Sequence, residues 1–125
     1  MKIYVAGPMR GLPEFNFPAF HEAARRLRAK GHEVFNPAER DIARHGLDIS
    51  KGNMAGCEKL AAEQHGFNIR EALADDLDFI CRQADAVALL PGWQESRGAL
   101  AEVHAARALD LLILSLEAME RWICD

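Results

Sequence analysis

Residues 84–102 read A-D-A-V-A-L-L-P-G-W-Q-E-S-R-G-A-L-A-E, and the succession of residue types in them decides the fold. The apolar run 86–90 predicts a short buried strand, and Asp85 turns the chain into it. Pro91-Gly92-Trp93 breaks the run, and Ser96-Arg97-Gly98 opens a helix expected over about 98–109. A wholly apolar strand followed by a loop and a helix is the repeating unit of a parallel sheet covered on both faces.

The same unit recurs on either side. Residues 2–6 predict a first strand, and Gly7-Pro8-Met9-Arg10-Gly11 forms a loop after it. Asn16 and Pro18 announce a helix to 29 or 30, with Phe20, Ala24 and Leu27 on one face and Gly31 as its stop. Residues 33–35 predict a second strand, halted by Asn36-Pro37. Asn68 with Glu71 three places on resembles a capping box and starts a helix through 83, with Leu73, Leu77 and Ile80 inward. A fourth strand over 111–114 and a helix over 115–123 complete the alternation. The expected fold is therefore an α/β three-layer sandwich of flavodoxin or Rossmann type, with a four- to five-stranded parallel sheet, in one domain over 1–125. Residues 38–66 carry Gly46, Gly52, Gly56 and mixed charge. They are expected to form a flap or insertion over the pocket, with one short helix near 57–64.

Bulk composition excludes several function classes. A net charge of −4 argues against a nucleic-acid backbone as ligand, because that needs a basic face. No apolar stretch reaches spanning length and no secretory leader is read, so neither a membrane nor an exported location is expected. Cys57, Cys81 and Cys124 lack metal spacing and are odd in number. They read as reduced thiols, which points to the cytoplasm. His21, His32, His45, His65 and His104 show no ligand spacing, so no metal and no cofactor is expected.

The chemistry-bearing residues gather at the carboxyl ends of the strands, where such sheets bind ligands. In the first loop Gly7 lets backbone approach a ligand and Arg10 offers a fork to phosphate, or the loop is a plain turn with a solvated arginine. In the second, the Ser96 hydroxyl, the Gly98 N–H and the helix N-terminus suit an anion. Glu102 stands one turn beyond Gly98. Asp75, Asp76 and Asp78 form an acidic group late in a helix, with Asp76 at the edge of the buried stripe. Tyr4, the sole tyrosine, needs a partner for its hydroxyl within the core. Trp93 either stacks on a base or packs as a rim aromatic.

Together these segments resemble the nucleoside 2-deoxyribosyltransferase superfamily. The resemblance runs through I-Y-V-A-G-P at 3–8, F-N-P at 35–37, D-L-x-x-I at 76–80 and A-D-A-V-A-L-L at 84–90. It continues through S-x-G-A-x-x-E at 96–102 and L-D-L-L-I-L at 109–114, and so covers nearly the whole chain. It implies that Glu102 is a nucleophile toward the anomeric carbon of a (deoxy)ribosyl unit. It also implies that Asp76 protonates the leaving base and that Tyr4 orients Glu102. Such a displacement needs one ionised carboxylate and one carboxylic acid. The helix dipole is expected to keep Glu102 ionised, and burial to keep Asp76 protonated.

Within the superfamily, transferases of free nucleosides typically carry an acid six residues before the nucleophile, on the sugar 5′-hydroxyl. Here that position is Ser96, and Met9-Arg10-Gly11 resembles the first loop of the 2′-deoxynucleoside 5′-monophosphate N-glycosidases. The expected ligand is accordingly a nucleoside 5′-monophosphate held by Gly7, Met9, Arg10, Gly11, Ser96 and Gly98. Water is then the acceptor, and the enzyme a nucleotide N-glycosidase. The alternatives are base exchange by a transferase, a nucleotide sensor without turnover, or cleavage of an ADP-ribose derivative. The resemblance further implies a homodimer or higher homo-oligomer, with the terminal helix and its Trp122 and Ile123 as a candidate face.

Overall fold

The structure is a computed structural model that describes residues 1–122. Four strands form one parallel sheet: β1 (Lys2–Ala6), β2 (Glu33–Phe35), β3 (Ala86–Leu89) and β4 (Leu112–Ser115), in the order β2-β1-β3-β4. Among the described residues six α-helices accompany them: α1 (Phe17–Ala29), α2 (Pro37–His45), α3 (Glu58–His65), α4 (Ile69–Arg82), α5 (Arg97–Ala108) and α6 (Leu116–Arg121). Ile123 and Cys124 lie outside the described residues, and Trp122, just past α6, is largely exposed.

Alternation along β1 divides the core. Ile3 and Val5 point to one face, where Leu27 of α1, Ala38 of α2 and Met119 of α6 cover them. Tyr4 and Ala6 point to the other, against Ile80 of α4 and Ala106 of α5. The result is the expected three-layer α/β sandwich, with four strands. The chain leaves β1 on one side to reach β2, then crosses back to β3. The crevice between the ends of β1 and β3 is therefore a topological switch point, where ligands of such sheets bind.

Most element boundaries follow their sequence signals. Asn68 Oδ1 accepts from the N–H groups of Arg70 (3.0 Å) and Glu71 (3.3 Å) and caps α4. The expected return bond of a capping box is absent among the described residues, because the Glu71 carboxylate faces Arg44 Nε at 3.4 Å. Ser96 Oγ accepts from Ala99 N–H at 3.2 Å and caps α5.

The stretch 38–66 differs from its expectation. It carries two helices, with α2 beginning directly after β2. Asn36 does stop the strand, but its side chain accepts from Ala38 N–H at 2.9 Å, and Pro37 takes the first helical position. Gly46, at φ 72°, ends the helix. The connection onward is stitched to the loop after β1: Gly11 N–H donates to Gly56 O (3.0 Å), and Glu14 N–H to Asn53 O (2.8 Å). A Cβ on Gly56 would lie 2.3 Å from Leu12 O, so only glycine permits this approach. The segment is a bonded wall of the crevice.

Candidate functional site

The crevice at the switch point is a cleft lined from β1, the loop after it, α2, α4 and the start of α5. At its floor the Tyr4 hydroxyl donates to Glu102 Oε2 at 2.7 Å. Tyr4 is fully buried on β1, where Phe35 (centroids 5.5 Å apart) and Phe79 (6.4 Å) hold its ring. Glu102, on the inner face of α5, is only 6% exposed. Asp76 reaches the same place from α4, facing both the tyrosine hydroxyl and the Glu102 carboxyl. Three elements thus converge two carboxyls and one phenol, residues far apart in sequence.

Electrostatics at this floor are set first by burial. Desolvation pushes the Asp76 carboxyl up to about 7, the nearby Asp41 charge adds to this, and the Tyr4 hydrogen bond and Arg44 oppose it. Desolvation and Asp76 together raise Glu102 well above the usual carboxylate range, against the pull of the Tyr4 hydroxyl. The same two carboxyls and its own burial hold the Tyr4 phenol well above 10.0. Near neutral pH the Glu102–Asp76 pair therefore retains a proton. An ionised Glu102 sustained by the helix dipole is not what this geometry provides. Glu102 lies beyond the first turn of α5, where the dipole has faded, and desolvation dominates. Tyr4 is the group that favours the Glu102 anion.

The other expected residues fall into two groups. Met9, Arg10, Ser96 and Gly98 line the cleft with Gly7. Arg10 pairs with Glu58 at 3.2 Å from the start of α3. The Ser96 oxygen caps α5 and leaves its O–H free to donate. A Cβ built on Gly98 would meet nothing closer than Ser96 Oγ at 4.0 Å, so the absent side chain leaves space on the cleft side. Gly7 has a packing reason as well, since its Cβ would lie 2.7 Å from Leu90 Cβ. Gly11 and Trp93 are not among the lining residues. Gly11 turns the loop at φ 82°, and Trp93 sits half-buried in the turn after β3.

The sequence reading missed most of the apolar wall: Phe15, Phe17, Phe20, Ile49 and Phe67 line the cleft. Glu14, Phe15 and Asn16 run consecutively through left-handed backbone (φ 51°, 53° and 60°), a conformation that costs energy in residues other than glycine. Asn16 Nδ2 donates to Pro8 O (3.0 Å), and Gly52 N–H donates to Glu14 Oε2 (3.1 Å), and these bonds hold the strained segment. The turn delivers Phe15 into the cleft. Asp41 of α2 is the missed polar residue. Nothing in its local sequence marks burial, although its spacing to Arg44 offers an i,i+3 ion pair.

A family model matches residues 1–115, described as a domain of unknown function, DUF4406. The chain belongs to the DUF4406 family. No curated protein and no solved structure matches it. The match ends at the last residue of β4, so the matched span includes every residue that lines the cleft. Among the described residues, no group of three or more His, Cys, Asp or Glu is placed to hold a metal ion, and no helix is long and apolar enough to cross a membrane.

Proposed function

We propose that the cleft hydrolyses the bond between base and sugar in a nucleoside 5′-monophosphate, with Glu102 as nucleophile. The observation that carries this reading is the convergence of Tyr4, Asp76 and Glu102 on one buried point. A pair of carboxyls sharing a proton supplies one carboxylate and one acid, the requirement of a glycosyl transfer through an oxocarbenium-like centre. The resemblance to the nucleoside 2-deoxyribosyltransferase superfamily supports the same three roles.

The steps follow from the groups present. Glu102 carboxylate attacks C1′ as the C1′–N bond breaks, and the Asp76 proton passes to the departing base nitrogen. Water then attacks C1′ of the glycosyl ester. Asp76 carboxylate takes the water's proton, and Glu102 leaves as carboxylate. The Tyr4 hydroxyl, fixed on Oε2, aims the other Glu102 oxygen and steadies the returning charge. Ser96 O–H, the N–H groups opening α5 and Arg10 are the donors for the phosphate, once Arg10 leaves Glu58. The aromatic wall of Phe15, Phe17 and Phe67 offers the base an apolar bed.

The test incubates the protein with ribo- and deoxyribonucleoside 5′-monophosphates and the matching nucleosides, with and without a second free base. Free base plus sugar phosphate, formed from monophosphates, is the expected result. A new nucleotide carrying the added base would make the protein a transferase instead.

A further inference from the structure

Asp41 lies in the cleft and takes no part in the chemistry above. It is 6% exposed, and its Oδ1 accepts from Arg44 Nη1 at 2.7 Å. Its Oδ2 has no hydrogen-bond partner among the described residues. Arg44 is shared with two further acids. Nη2 is bound to Asp75 and Nε faces Glu71 at 3.4 Å, so each of its nitrogens already meets an acid. The Asp41 Oδ2 is not sealed from solvent, and with Asp41 lining the cleft it is open to a donor from a ligand there. Asp41 and Asp76 line the same cleft, so Asp41 is placed to meet the base that Asp76 would protonate.

We propose that Asp41 reads the base: its free Oδ2 accepts a hydrogen bond from an exocyclic amino group, so the ligand carries an amino-substituted base of the cytosine or adenine type. This rests on the nucleotide reading of the cleft. An oxo base is disfavoured in the same place, because its carbonyl oxygen would be set against the carboxylate. The ring N–H of an oxo base gives a poorer fit, since one carbonyl oxygen flanks it in hypoxanthine and two in uracil.

The experiment measures base release and equilibrium binding for four 2′-deoxynucleoside 5′-monophosphates, bearing cytosine, uracil, adenine and hypoxanthine, with wild-type protein and Asp41→Asn. The wild type should favour the amino member of at least one pair by about tenfold or more in kcat/KM. Comparing the two pairs tells a pyrimidine site from a purine site. Asp41→Asn keeps an acceptor for Arg44 and adds an N–H₂ donor, so the preference should shrink to within about threefold or reverse. Equal use of both members by the wild type would overturn the assignment, without needing a variant. So would uniform slowing of all four by Asp41→Asn with the preference intact, which would leave Asp41 acting only through Asp76. Absence of both binding and cleavage for every member would instead remove the nucleotide reading, and this proposal with it.

Discussion

The Tyr4 hydroxyl and the Glu102 carboxylate, 98 positions apart in the chain, meet at 2.7 Å in a fully buried hydrogen bond. The bond ties the first strand to the helix after the third, across the switch point of the sheet. Tyr4→Phe keeps the ring against Phe35 and removes only the donor. Turnover should fall by about 10²–10³-fold, the range of one lost donor to developing charge. The acid limb of the pH–rate profile should also move to higher pH, because the Glu102 anion loses its stabilising partner. Steady-state kinetics from pH 5 to 9 would check both, and an unmoved profile would leave Tyr4 a packing residue.

The buried acids make stability depend on pH in a definite direction. Asp76 titrates at about 7 in the folded protein against 3.8 unfolded, and Glu102 and Asp41 are also raised. Between about pH 4 and pH 7 the folded state therefore binds more protons than the unfolded state, and stability falls as pH rises. His32, held below 6.5 by burial, runs the other way over part of that window. Comparing variants cancels it. Glu102→Gln should raise the Tm at pH 8, by the equivalent of about 0.5–2 kcal/mol, and should flatten the decline between pH 5 and 8. Thermal melts at those pH values would show it, and a Tm lowered equally at both would contradict the assignment.

Two glycines separate folding from binding. Gly98→Ala meets no close atom, so it should fold with a Tm near wild type. The added methyl occupies the cleft beside Ser96, and 5′-monophosphates should bind about tenfold or more weakly. Gly56→Ala would press its Cβ to 2.3 Å from Leu12 O at φ 59°, and should unfold or grossly destabilise the protein. Melting curves and calorimetry with a bound monophosphate would separate these two outcomes.

Arg10 is held by Glu58 at 3.2 Å, and a phosphate must compete for it. Arg10→Ala should weaken 5′-monophosphates far more than the corresponding nucleosides, since a charge-assisted contact contributes about 1.5–3 kcal/mol. Glu58→Gln should strengthen monophosphate binding by removing the competitor. Equal losses for nucleotide and nucleoside in Arg10→Ala would place the phosphate elsewhere.

The sheet was legible because its strands are short and apolar and each is followed by a turn signal. The runs at 2–6, 33–35 and 86–90 became β1, β2 and β3 within a residue. The helix α2 was hidden because Asn36-Pro37 reads equally as the end of a strand and the start of a helix, and here it is both. Asp76 stood out at the edge of a buried stripe and Tyr4 as a core phenol in need of a partner, while the role of Glu102 came from the resemblance to the nucleoside 2-deoxyribosyltransferase superfamily. Their meeting depends on how α4 and α5 pack, which spacing alone does not specify. The aromatic wall was illegible for another reason. Phe15 enters through three left-handed residues that contain no glycine, and Phe67 arrives from fifty residues away. Asp41 fell within the mixed-charge stretch expected as a flap, and the packing of α2 against α4 encloses it.

The most direct test of the central claim compares base release from the nucleoside 5′-monophosphates by wild type and by Glu102→Gln at pH 7. Glu102→Gln keeps the size of the side chain and removes the nucleophile. Release by the wild type, lost by a factor of about 10³ or more in Glu102→Gln while nucleotide binding stays within a few-fold, is the predicted result. Base release persisting in Glu102→Gln, or none from the wild type with any monophosphate, would contradict it.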